Sequence, residues 1–205
     1  PSKLGLRRGQ TITVENAIKA LVTKSANDVA TVLSEAIGGT ERKFARLMTK
    51  RARALGMKDT TFKNASGLPN RSQFSTARDM AILARALLYG HPKMYRHFSR
   101  EKFTYKGRTY RSHNRLMSRY EGMDGIKTGY IRASGFNLVA SARRNGKRVI
   151  AVVFGGKTSK SRDRRVASLL DNGFAALQTV VTSSGKPPNL PASAVRAKFK
   201  SVGKV

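Results

Sequence analysis

The sequence predicts an α+β domain, an antiparallel sheet with helices packed on it. Helical periodicity dominates up to Gly90, hairpin signals dominate 103–154, and one more amphipathic helix follows at about 163–177. Helices, then hairpins, then a helix is the order of an α+β domain rather than of alternating βαβ units. The size agrees, since 205 residues with 40% hydrophobic content suit one domain with a real core. That domain is expected over 1–178, with 179–205 a basic Pro/Ser-rich linker or disordered tail.

The first helix is expected to start after Thr13, an N-cap candidate with Glu15 in its first turn, and to run toward Ile37. Its apolar stripe is Ile18, Leu21, Val22, Val29, Val32, Leu33 and Ala36. Position 25 should continue the stripe but is Ser25, followed by Asn27 and Asp28, which prefer caps and turns. Whether the helix survives that interruption is open at this level. A second helix over about 41–55 carries Phe44, Leu47, Met48 and Leu55 on one face and stops at Gly56. Residues 57–75 are rich in Asn, Ser, Gly and Pro and read as loop with one short extended piece. Thr76, with Asp79 three residues on, caps a third helix that ends at Gly90 and Pro92.

FTYKGRTYR (103–111) alternates and pivots on Lys106-Gly107, a short hairpin. In 136–154, Asn145-Gly146 separates two strand-like runs, the strongest local hairpin signal available. The second run is apolar from Val149 to Phe154 and is expected to be a central strand covered on both faces. About four strands are visible, so a sheet able to cover these helices is expected to need another strand from outside this sequence.

The charge balance is 41 Lys+Arg against 11 Asp+Glu, formally +30. Such a balance favours polyanions such as nucleic acid, an anionic membrane surface or an acidic wall polymer. The basic residues are spread along the chain, however, with no nucleic-acid-binding signature, so no specific nucleic acid is expected. With no cysteine there is no disulfide and no thiol nucleophile. No run approaches the ~18 apolar residues of a membrane-spanning helix. The first residue is Pro1 and no leader is visible, so the chain is expected to be a processed product or a cut piece.

Among candidate sites, 151–158 has phosphate-loop spacing, but its first residues read as buried strand. The three histidines lack metal-ligand spacing, and neither a metal site nor a cofactor is expected. There is no G-x-S-x-G nucleophile elbow. Lys127-Thr128-Gly129 sits where a strand begins. An ammonium, a small hydroxyl and a glycine there suit a cleft that takes a carboxylate. It gains meaning from an upstream Ser-x-Asn, of which there are two. Ser25-Ala26-Asn27 is preferred because it interrupts a helical stripe; Ser112-His113-Asn114 lies in a basic connector.

At these residues the sequence resembles the serine D-alanyl-D-alanine carboxypeptidases, low-molecular-mass penicillin-binding proteins of the peptidase S11 type. Their pattern, S-x-x-K, then S-x-N, then K-T-G, is shared with class A β-lactamases. The likeness extends through PSKLGLRRGQTITVENAI, LVTKSANDVA, ALGMKDTTFKNASGLPN, STARDMAILARAL, DGIKTGYIRASGFNLVASA and VVFGGKTSKSRDR, and covers roughly 1–178. It implies a penicillin-binding transpeptidase-like fold, without its N-terminal part. The implied activity is removal of D-alanine from peptidoglycan stem peptides ending in D-Ala-D-Ala, through an acyl-enzyme. It implies β-lactam antibiotics as ligands, an extracytoplasmic or periplasmic location and contact with wall or membrane surface.

Carried over by residue, Ser25 relays a proton to the leaving D-alanine, Asn27 binds the substrate amide and Lys127 supplies positive potential. Thr128 binds the terminal carboxylate, Gly129 lets the substrate approach the backbone, and Lys157 and Thr158 help bind the substrate. The Tyr130 N–H forms half of an oxyanion hole. One element of the pattern is missing. S-x-x-K occurs at 99–102, 183–186 and 201–204, all after Ser25 and none opening an apolar helix. The nucleophile is therefore expected upstream of Pro1, and the chain alone is expected to be inactive. The competing readings are a non-catalytic peptidoglycan-binding module or pseudoenzyme and, more remotely, a charge-driven nucleic-acid binder.

Overall fold

The first helical stripe forms two helices. In a computed structural model that describes residues 2–183, with side chains to 178, α1 (Val14–Lys24) is capped by Thr13, whose hydroxyl accepts the Asn16 N–H. It stops at Ser25, which adopts the left-handed conformation (φ 55°). The helix restarts as α2 (Asn27–Gly38) after the buried Ala26.

Asp28 shows why the break is stable. Its carboxylate accepts the N–H groups of Leu4 (2.9 Å), Gly5 (2.7 Å), Leu6 (3.0 Å) and Val29 (3.0 Å). It thereby ties the N-terminal segment to the start of α2. Burial pushes this carboxyl up, but the four N–H donors outweigh it and hold it below its ordinary 3.8. A depressed carboxyl contributes stability above its unfolded value and loses it as pH falls through the folded one. Asp28→Ala is expected to cost about 2 kcal/mol at neutral pH. In urea melts, its difference from the parent should shrink as pH drops from 6 to 3.

α3 (Glu41–Ala54) is capped by Thr40. The expected loop over 57–75 contains one extended bridge, Thr61 to Phe74. Asp79 pins it to α4 (Ala77–Gly90), which Thr76 caps. α4 ends at Gly90 as expected, and Pro92 opens a separate short helix, α5 (Pro92–Tyr95), followed by a 3-10 turn, Arg96–Ser99.

β1 (Lys102–Tyr105) and β2 (Arg108–Arg111) form the first hairpin, in which Lys106 and Gly107 both have positive φ, as a type I′ turn requires. A 3-10 turn, Arg115–Ser118, leads to β3 (Met123–Ile131), β4 (Gly135–Arg144) and β5 (Lys147–Gly156), antiparallel in the order β3-β4-β5. One expectation changes here. Lys127-Thr128-Gly129 lies within a strand rather than at its start. Among the described residues the apolar β5 ends the sheet and β4 lies between its neighbours, so a central place for β5 requires the additional strand expected from outside this sequence. Both faces of β5 are nevertheless covered, which explains its continuous apolar run.

One face of the sheet packs Leu138, Ala140, Ala142 and Ala151 against Val166, Leu170 and Phe174 of α6 (Ser159–Ser183). Burying Val166 and Leu170 completely contributes about 1.5–3 kcal/mol each. The other face packs Val139, Ile150 and Ile126 on Ala84 and Leu88 of α4 and on Tyr95. The two faces alternate residue by residue along β4. A third cluster joins α1 and α2 to Phe103 of the first hairpin through Ala17, Ala20 and Val29. α6 begins earlier and ends later than the expected 163–177. The rest of the expected tail, 184–205, lies outside the described residues.

Candidate active site

The left-handed turn at Ser25 and the middle of β3 meet although 102 residues separate them. The Lys127 Nζ donates to Ser25 Oγ and to the Thr128 carbonyl at 2.8 Å. Ser25 can project this way because the chain leaves the helical path there; inside a continuous helix its hydroxyl would serve the preceding turn. Burial lowers the pKa of Lys127 to about 8. No carboxylate pairs with it among the described residues.

Ser25, Asn27, Lys127, Thr128, Gly129 and Tyr130 line one cleft of ≈ 1630 Å³. Its polar floor is the sheet edge at β3, and its walls include Leu21, Val22, Met80 and Phe98. Since the Thr128 carbonyl accepts from Lys127, residue 128 points its backbone groups away from β4. Strand periodicity turns those of Tyr130 to the same free edge. The Tyr130 ring is 60% exposed and stacks on Phe136 at 4.4 Å.

The structure does not bring Lys157 and Thr158 into this lining. Both are exposed, and the Thr158 hydroxyl accepts the Ser161 N–H (3.0 Å) at the start of α6. The cation that reaches the cleft from this corner is Arg162, only 3% exposed. Its Nη1 donates to the Asn137 carbonyl (3.1 Å), and its Nε and Nη2 to Asp163 (2.9 and 2.7 Å). The signal for Arg162 was its spacing, because 162, 166 and 170 share one face of α6 and the other two are core residues.

Asn137 was also missed. It lines the cleft, with Nδ2 donating to Ser134 Oγ (2.8 Å) and Oδ1 accepting the Gly155 N–H (3.0 Å). Gly135, with positive φ, makes this corner possible, because a Cβ there would sit 2.8 Å from the Gly156 carbonyl oxygen. The second triplet lines the same cleft, but Asn114 is buried and caps the 3-10 turn through the Leu116 N–H (3.2 Å). Burial, together with the charges of Lys127 and Lys24, pushes His113 down.

A cation touching a hydroxyl, a buried guanidinium and a free strand edge, all around one cleft, suit an acyl-transfer site that takes a carboxylate. A family model described as D-alanyl-D-alanine carboxypeptidase matches residues 1–158. The D-alanyl-D-alanine carboxypeptidase DacF of Bacillus subtilis is 38% identical over 183 residues, 87% of this chain and 47% of that protein. The chain thus spans about half the length of the curated relatives it matches. Penicillin binding protein 6B from Escherichia coli superposes with a TM-score of 0.80 at 36% identity, covering 84% of this chain and 55% of that one. Penicillin-Binding Protein D2 from Listeria monocytogenes, solved in the ampicillin-bound form, gives 0.76 at 32% identity, covering 84% and 75%.

Proposed function

Since the chain belongs to the D-alanyl-D-alanine carboxypeptidase family, we propose that it forms the part of a serine carboxypeptidase that binds and activates peptidoglycan stem peptides ending in D-Ala-D-Ala. The observation that carries this reading is the Ser25–Lys127 contact, which joins the Ser-x-Asn and Lys-Thr-Gly elements in one cleft. The nucleophile comes from outside residues 1–205. Two features support that assignment. No S-x-x-K precedes Ser25 in the sequence, and β5, covered on both faces, has no partner on its outer edge among the described residues.

In this mechanism the incoming serine attacks the carbonyl between the two D-alanines. The developing oxyanion takes the Tyr130 N–H, and Asn27 holds the substrate amide. Thr128 and Arg162, the latter in place of the expected Lys157, receive the terminal carboxylate in the field of Lys127. Ser25 passes a proton to the departing D-alanine nitrogen, and water then releases the acyl group. β-Lactams acylate the same serine, and the enzyme works outside the cytoplasmic membrane. The 205-residue chain alone is expected to give no covalent adduct with a fluorescent penicillin; a stable adduct on it would refute the external nucleophile. Peptide binding without turnover in the longer protein would favour the non-catalytic wall-binding module instead.

A further inference from the structure

Beside the cleft lies a second hollow of ≈ 450 Å³ between the 3-10 turn Arg115–Ser118 and the first turns of α6. Arg115 and Arg119 border it on one side, Lys160 and Arg164 on the other. Each pair is four residues apart, so Lys160 and Arg164 stack on one helical face, where like charges repel. No carboxylate neutralises any of the four among the described residues. The carboxylate that borders the hollow, Asp163, is held by two N–H groups of Arg162. Farther along α6, Asp171 is taken by Arg144 and the Tyr120 hydroxyl. The hollow is continuous with the cleft, since Arg115, Arg119 and Ser159 line both.

We propose that this hollow binds a phosphodiester chain of the cell wall alongside the peptide in the cleft. Three of its four cations are guanidinium forks, which suit phosphate oxygens. Facing pairs of unneutralised charges ask for a ligand with repeated negative charge rather than for one carboxylate. The choice of a wall polymer rests on the carboxypeptidase reading; the anion-binding site itself does not.

The test uses the 205-residue chain and a fluorescent poly(glycerol phosphate) oligomer, followed by anisotropy at several salt concentrations. Arg119→Gln/Arg164→Gln is compared with Arg42→Gln/Arg46→Gln, which removes the same charge from exposed positions of α3. The first pair is expected to weaken binding by roughly tenfold and to flatten the slope of log K against log salt by about 1.4, while the second costs under about threefold. Equal losses would mean diffuse attraction to a +30 surface and would overturn the site. Equally tight binding of a charge-matched DNA oligonucleotide, or competition by inorganic phosphate at equal phosphate concentration, would overturn the polymer assignment. Neither result bears on acylation, because binding here needs no nucleophile.

Discussion

Replacing Lys127 with methionine in the complete enzyme is expected to slow acylation by penicillin about 10²–10³-fold. The side chain sits in the cleft, touches Ser25 and has no acidic partner among the described residues, so its charge is free to act on the substrate. The variant should also remain folded. Burial places the lysine at about 8 against an ordinary 10.5, so the unfolded chain holds the proton more tightly between those values. Protonated Lys127 therefore opposes folding at neutral pH, and stability rises as pH climbs from about 8 toward 10.5. Lys127→Met should melt no lower than the parent at pH 7 while losing activity. In the parent, carboxylate capture should weaken above about pH 8 as the ammonium deprotonates, a limb absent from the variant. A fall in melting temperature matching the loss of activity would assign Lys127 a structural role instead.

The second large effect is expected at Asp79. This carboxylate is 1% exposed and accepts the Asp59 N–H at 2.8 Å and the Thr60 hydroxyl at 2.6 Å. Thr60 in turn meets Ser75 Oγ at 2.8 Å, closing both ends of the loop over 57–75 onto the start of α4. Asp79→Ala leaves the part-buried Asp59 N–H without its acceptor and the buried Thr60 hydroxyl with Ser75 Oγ alone, and should cost roughly 2 kcal/mol, about 4–8 °C in melting temperature. Asn64 and Ser66 of that loop line the cleft, so hydrogen exchange across 57–75 should accelerate and peptide affinity should fall. Asp79→Asn keeps one acceptor oxygen and should lose about half as much. Unchanged loop exchange in Asp79→Ala would show that other contacts hold the segment.

Local chemistry made much of this fold legible. Thr13 and Thr76 cap helices where their positions said they would, and Lys106-Gly107 and Asn145-Gly146 turn the two hairpins. The polar interruption at Ser25 marked one wall of the candidate site. The sequence could not say that the interruption ends one helix and starts another, because that depends on Asp28 capturing a segment more than twenty residues away. β3 was partly hidden because its run MDGIKTGYI contains two glycines and a lysine, poor strand formers held extended by pairing with β4. The apolar run of β5 reports that helices cover both its faces; it does not report which strands pair with it, and among the described residues only β4 does. Lys157 is an expectation carried by the resemblance alone; the structure adds that α6 turns Arg162 toward the cleft and leaves Lys157 exposed and outside its lining.

Under the proposed function, Ser25 assists a nucleophile that lies outside residues 1–205. Peptide mapping of the penicillin adduct in the complete protein tests this directly. The adduct is expected on a serine outside residues 1–205, lost when that serine is replaced, and slowed but not relocated by Ser25→Ala. An adduct on Ser25, or on any other serine within residues 1–205, would contradict it.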